Sequence, residues 1–267
     1  MKDLKLYGGW AVVTGASAGL GREFARIIAS NGVNCVLIGL GKADLDAVAD
    51  ELRSKHGVEV RALELDLTAD GYLEVVAKAT EDIPVGILVN NAGIGVGGYF
   101  HTRDPKKLTA LVKLNCLAPV ELTRHFLPAM VDRKTGAVIM VSSIFGLVPA
   151  PMEAAYTASK AFDLHFGEAL WSEMRGKGVD VVTICPGGMR TGFFVADGLT
   201  DPKELARIHR NSNTPEEVAM RTLNALGRKP VTTMPFAWVC GFLARFAPRR
   251  LVTMIVRFSF DRMVTYH

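Results

Sequence analysis

Residues 10–29 read WAVVTGASAGLGREFARIIA, and this stretch decides the fold. Trp10 to Thr14 is a short apolar run of strand length. Gly15, Gly19 and Gly21 follow it, and then at once a segment to about Asn31 whose apolar residues recur at helical spacing. A glycine-rich turn between a first strand and a first helix lets the backbone approach a pyrophosphate. The negative charge then meets free N–H groups at the positive end of a helix. The turn therefore reads as a dinucleotide-binding loop contacted through Gly15, Ser17, Gly19, Leu20 and Gly21, with an ordinary glycine-rich turn as the competing reading.

Working outward, the same alternation continues. Asn34 to Ile38 reads as a strand and Lys42 to about Lys55 as a helix, with further strands at Val58 to Leu65, Ile87 to Asn90, Gly136 to Ser142 and Asp180 to Cys185. Each is rich in Val, Ile or Leu, as strands covered on both faces should be. The expectation is an α/β chain: a Rossmann-like, doubly wound parallel sheet flanked by helices, one domain over 1–267. Within it, 192–227 reads as a substrate-loop region and 228–267 as a C-terminal helical lid or basic amphipathic tail. Asp197 to Thr214 is polar and Pro-punctuated, and Pro215 to Gly227 reads as a helix.

Composition sets limits. Of 267 residues 49% are apolar and 22% charged, which suits a packed core and not a disordered chain. The net charge of +4 is spread out, which argues against nucleic acid as a partner. Cys35, Cys116, Cys185 and Cys240 lie far apart in apolar sequence, pointing to a reduced, cytoplasmic protein. His101, His125 and His165 lack metal-ligand spacing, so no metal is expected. The N-terminal residues do not read as a signal peptide, and no apolar run is long enough to span a bilayer.

From Asp104 to Met130 the apolar positions Leu108, Leu111 and Val112 follow helical spacing, which aims Asn115 inward. Pro119, four residues on, has no N–H for the helical bond to the Asn115 carbonyl, which is left free for water. Tyr156 and Lys160 stand at i and i+4 of a helix, so an ammonium faces a phenol and favours the phenolate. Ser143 ends the strand GAVIMVSS upstream of them, where its hydroxyl can hold a carbonyl oxygen.

With these motifs in order, the chain from about Gly9 to Thr191 resembles the short-chain dehydrogenase/reductase family, in its TGxxxGxG and YxxxK branch. The segment VSSIFGLVPAPMEAAYTASK is most similar to hydroxysteroid dehydrogenases and related lipid-carbonyl reductases. The resemblance implies a nicotinamide-dependent enzyme transferring hydride between cofactor and a carbonyl or alcohol. It implies that Ser143 orients the oxygen, Tyr156 passes the proton, Lys160 holds the nicotinamide ribose and keeps Tyr156 acidic, and Asn115 extends a proton relay through water. It further implies that Asp66 contacts adenine and that Asn90, Ala92 and Gly93 lie along the cofactor. Pro186, Gly187 and Thr191 would border the nicotinamide, and the chain would be a homo-oligomer built through the helices carrying Asn115 and Tyr156. A non-catalytic NADP(H)-binding regulatory protein is the rival reading.

One position departs from the family pattern. The second strand ends Gly39-Leu40-Gly41-Lys42, without the acid that binds a ribose hydroxyl. Lys42 offers a cation to a 2'-phosphate or is a solvated helix-start residue, so NADP is the preferred cofactor and NAD the alternative. Ile94 to Phe100, Ile144 to Met152 and Phe193 to Leu199 should rim an apolar pocket suited to a steroid, a retinoid or an acyl chain. Seven Lys or Arg and one acid are interleaved with aromatics from Arg228 to His267. That tail reads as a substrate lid or subunit contact, or as a segment lying on an anionic membrane surface.

Overall fold

The strands β1 (Trp10–Thr14), β2 (Asn34–Gly39), β3 (Val60–Glu64), β4 (Val85–Asn90), β5 (Gly136–Val141), β6 (Val179–Cys185) and β7 (Val231–Thr233) form one parallel sheet in the order β3-β2-β1-β4-β5-β6-β7. These belong to a computed structural model that describes residues 2–193, 202–210 and 212–263. The chain winds outward in both directions from β1, so the order reverses between β1 and β4. A crevice opens there at the carboxyl ends of the strands.

Period-two geometry explains why these runs are apolar throughout. On β1, Ala11 and Val13 face a core with Phe24, Ile28 and Leu52, while Trp10 and Val12 face a second core with Leu122, Phe126 and Met130. Helices cover both faces: α1 (Gly19–Ser30), α2 (Lys42–His56), α3 (Tyr72–Thr80), α4 (Pro105–Val112), α5 (Ala118–Asp132), α6 (Ile144–Leu147) and α7 (Ala154–Glu173). After β6 come α8 (Pro202–Arg210), α9 (Pro215–Ala225), α10 (Pro235–Phe246) and α11 (Arg249–Met263). The predicted strands and helices up to β6 are present with small shifts at their ends.

Three features differ from the sequence reading. Asp104 to Met130 is not one helix. A π turn over Lys113–Leu117 separates α4 from α5, next to Pro119, which has no N–H to continue the regular ladder. A seventh strand, β7, pairs Thr183–Cys185 with Val231–Thr233 and is too short to show periodicity. The stretch read as polar and Pro-punctuated holds α8, while the C-terminal segment is helical as expected, in α10 and α11.

Candidate active site

The glycine-rich loop lies at the switch point. Gly15 and Gly19 adopt φ of +66° and +56°, a region costly for residues with a Cβ. A Cβ on Gly21 would stand 2.2 Å from the Gly15 carbonyl oxygen and 2.6 Å from Asn91 Nδ2, so only glycine fits there. Ala18 caps α1 without a side-chain hydrogen bond, which leaves the first N–H groups of the helix to serve an anion. Ser17 lies beside Gly39 at the end of β2. The Leu20 side chain is buried in the core, so only its backbone can face a ligand.

Two residues that were not singled out from sequence hold this loop in place. Thr14 Oγ1 donates to Val89 O at 3.2 Å and accepts from the N–H groups of Asn91 and Ala92, each at 2.9 Å. Asn91 Nδ2 donates to Thr14 O at 2.8 Å. Thr14 opens the glycine-rich motif and Asn91 stands between Asn90 and Ala92, but only the pairing of β1 with β4 reveals their role. Thr191 reaches the same loop, its γ-methyl 3.2 Å from where a Gly19 Cβ would be. Pro186 and Gly187 therefore follow β6 into this crevice, and the Pro186 carbonyl accepts from Ile144 N at 2.7 Å.

At the far end of the loop, Lys42 Nζ is 2.8 Å from Asp46 in an exposed i,i+4 pair. The Lys42 backbone N–H donates to Glu64 Oε1 at 3.0 Å, which brings an acid from β3 beside the end of β2. The spacing along the sequence does not reveal Glu64, because it arrives through the β2–β3 register of Gly39 against Glu64. Asp66 is exposed, and its carboxylate accepts from Thr68 N and Oγ1, both at 2.8 Å.

Asn90 turns into the fold, its Nδ2 donating to Thr123 Oγ1 at 3.0 Å. Its side chain joins the sheet to α5, while the backbone after it carries Asn91, Ala92 and Gly93 into the crevice. Asn115 on the π turn is fully buried. Its amide accepts from Ile94 N and donates to Ile94 O and to Ser159 Oγ, all at 3.0 Å. A Cβ on Gly93 would stand 3.3 Å from Asn115 Oδ1 and 3.4 Å from Lys160 Nζ, so these three residues meet in one place.

Ser143 caps α6 by accepting from Phe145 N at 3.2 Å, and its side chain stands beside the Tyr156 phenol. The Tyr156 ring is half-buried between Phe145, at 6.3 Å, and Phe193, at 5.5 Å between centroids. Lys160 Nζ lies 5.9 Å from the centre of that ring and donates to Val141 O and to Asp163 Oδ2, both at 2.9 Å. Burial lifts Tyr156 above the ordinary phenol range, against the downward pull of Lys160 and Ser143. The i,i+4 spacing suggested the opposite direction; it does not show the enclosure of the ring or the carboxylate beside the lysine. Burial also works against the Lys160 ammonium, but Asp163 and Tyr156 together outweigh it and raise the lysine.

Around this cluster the predicted rim segments come together. Gly98 N donates to Met152 O at 2.7 Å, joining the 94–100 and 144–152 stretches. Met152 adopts φ +65°, a strained backbone for a residue with a Cβ. Residues 194–199 of the third rim segment lie outside the described residues. Helix α10 packs on α6, where a Gly241 Cβ would meet the Leu147 side chain at 2.9 Å.

Residues 9–200 match the model of the short chain dehydrogenase family. The chain belongs to that family. Among its relatives, inactive hydroxysteroid dehydrogenase-like protein 1 of Homo sapiens is 34% identical over 255 residues, covering 93% of this chain and 75% of that protein. The very-long-chain 3-oxoacyl-CoA reductase of Homo sapiens is 32% identical over 227 residues, covering 82% of this chain and 69% of that protein. A solved short-chain dehydrogenase from Sphingobium yanoikuyae in complex with NADPH superimposes with a TM-score of 0.79 at 31% identity, covering 88% of this chain and 93% of that one.

Proposed function

We propose that the chain is a nicotinamide-dependent oxidoreductase that interconverts a carbonyl and an alcohol on a lipophilic substrate of steroid, retinoid or 3-oxoacyl type. The observation that carries this is the convergence of Ser143, Tyr156 and Lys160 at the mouth of the glycine-rich crevice. The residues fit the cofactor. Gly15, Gly19 and Gly21 let the loop close against Asn91 and Thr191, and the N-terminus of α1 stays uncapped for a diphosphate. Gly93 leaves space in front of Lys160 and Asn115, and Thr191 borders the loop from the other side. A bound nicotinamide supplies or accepts the hydride.

The chain's own residues handle orientation and the proton. Ser143 holds the substrate oxygen, Tyr156 gives its phenolic proton to that oxygen in reduction or takes it in oxidation, and Lys160 holds the ribose. Asn115 fixes the backbone at Ile94 and carries a water next to the lysine. Phe145 and Phe193 enclose the reacting centre in apolar surface, which favours a lipophilic carbonyl. The solved relative bound to NADPH supports NADP as preferred cofactor, with NAD the alternative. Lys42 is available to a 2'-phosphate because its exposed pair with Asp46 is weak and screened by solvent and salt.

Tyr156→Phe tests the proposal: turnover should vanish while cofactor affinity stays within about a few-fold. Near-normal turnover by that variant would make the assigned acid wrong. A second reading, a cofactor-binding protein without turnover, gains support from the relative named inactive and from the engagement of Lys160 by Asp163. Retention of Ser143, Tyr156 and Lys160 favours the enzyme.

We place the protein in the cytoplasm, in keeping with four unpaired cysteines. Exposed Val112, Leu117 and Phe162 on the π-turn and α7 side support a homo-oligomer. Among the described residues no helix is long and apolar enough to cross a membrane. Helix α10 both walls the site and exposes Phe236, Trp238, Phe242 and Phe246, with Arg245, Arg249 and Arg250 alongside. That combination supports peripheral contact with an anionic membrane surface beside the substrate entrance.

A further inference from the structure

The catalytic candidate Lys160 has an unusual neighbour. Three residues on, Asp163 is buried in α7, its side chain 3% exposed against 5% for Lys160, with 2.9 Å between Oδ2 and Nζ. Its second oxygen, Oδ1, is buried without a hydrogen-bond partner. Lys160 is thus the carboxylate's one hydrogen-bond partner among the described residues. Separating the two would strand a charge in the interior.

Wherever the shared proton sits, the pair carries no net charge. Tyr156 therefore feels the downward pull of Lys160 opposed by the Asp163 charge. The remaining titratable groups near the cluster add no further positive charge. Burial pushes the Cys116 thiol on the π turn up to about 11 and the Cys185 thiol at the end of β6 up to about 12, so both are neutral in the physiological range. Glu153, just before α7, is an acid and favours the protonated phenol further, as Asp163 itself does.

We propose that Asp163 is a positioning residue that neutralises Lys160, holds Tyr156 as the protonated phenol at neutral pH and so biases the site toward carbonyl reduction. This rests on Tyr156 being the proton-transfer group. In reduction the substrate carbon gains a hydride from the reduced nicotinamide, which is oxidised. The carbonyl π pair moves to the oxygen, which takes the Tyr156 proton, and the phenolate left behind regains a proton from solvent. A phenol that stays protonated near neutral pH is ready for that direction. Oxidation needs the phenolate and is held back.

The test is a phenolate absorbance titration of the cofactor-free protein, with Tyr156→Phe subtracted so that only Tyr156 is read. Asp163→Asn keeps an oxygen for Lys160 and removes the charge; its Tyr156 midpoint should fall by roughly one unit or more. Asp163→Glu should restore the midpoint. In Lys160→Met combined with Asp163→Asn, both charges leave together and the midpoint should stay within about half a unit of the unmodified protein.

A folded Asp163→Asn protein with an unmoved midpoint overturns the proposal. So does a double variant whose midpoint rises by about a unit or more, because that is the signature of an ammonium acting alone; this arm decides the matter even if Asp163→Asn fails to fold. With the oxidised cofactor and an alcohol substrate, Asp163→Asn should also move the onset of alcohol oxidation to lower pH. Turnover surviving Tyr156→Phe would instead remove Tyr156 from proton transfer while leaving the titration result intact, so the two failures are distinguishable.

Discussion

Asn91 and Thr14 tie β1 to β4 at the point where the strand order reverses: the Asn91 amide donates to Thr14 O at 2.8 Å, and the Thr14 hydroxyl accepts from Asn91 N at 2.9 Å. The crevice of a doubly wound sheet lies between these two strands, so the tie fixes the floor on which the glycine-rich loop rests.

Gly21→Ala places a methyl group 2.2 Å from Gly15 O and 2.6 Å from Asn91 Nδ2, with backbone on one side. Neither neighbour can yield without opening the loop. The expected outcome is a stability loss of about 1–3 kcal/mol and a larger proportional loss of dinucleotide affinity, checked by thermal melting and by cofactor titration on the same sample.

Glu51 bridges Arg22 and Lys55, with Arg26 adding a further contact, and these hold its carboxyl well below the usual range, at about 2. A depressed folded value means that the stabilisation is present above the unfolded value of about 4.3 and is lost as pH falls toward the folded one. Its partners are largely solvated, so Glu51→Gln should cost only about 1 kcal/mol at neutral pH. In denaturant melts the gap from the unmodified protein should close between about pH 5 and pH 2; a gap that persists in acid would show that the charge is not its source.

The exposed aromatics of α10 are expected to carry membrane contact. Trp238→Ser, Phe242→Ser and Phe246→Ser together should reduce co-sedimentation with anionic vesicles, and added salt should weaken what remains. Removing 228–267 altogether is a poor alternative, because it deletes β7 and the α10 contact on Leu147. Equal sedimentation of the substituted and unmodified proteins would leave these helices as a lid or subunit contact alone.

The fold was legible wherever burial on both faces produced an apolar run between turn signals, as at Trp10 to Thr14 and Asp180 to Cys185. Ser143, Tyr156, Lys160 and Asn115 were legible because one helix, one strand end and one inward stripe set their directions. Glu64, Asn91 and Asp163 were not, for a common reason. Glu64 and Asn91 act across strand register, and Asp163 matters only because the lysine side chain folds back to meet it in a buried space. Likewise β7 and the π turn depend on tertiary pairing and on a missing N–H, neither of which leaves a period in the sequence.

The most direct measurement is a fluorescence titration of the purified protein with NADPH and with NADH, followed by a panel of lipophilic ketones and alcohols scored by nicotinamide absorbance. Saturable binding, tighter for NADPH, with turnover of at least one lipophilic carbonyl is the expected result. Binding without turnover across the panel would favour the regulatory reading, and binding of neither cofactor would contradict the assignment at its root.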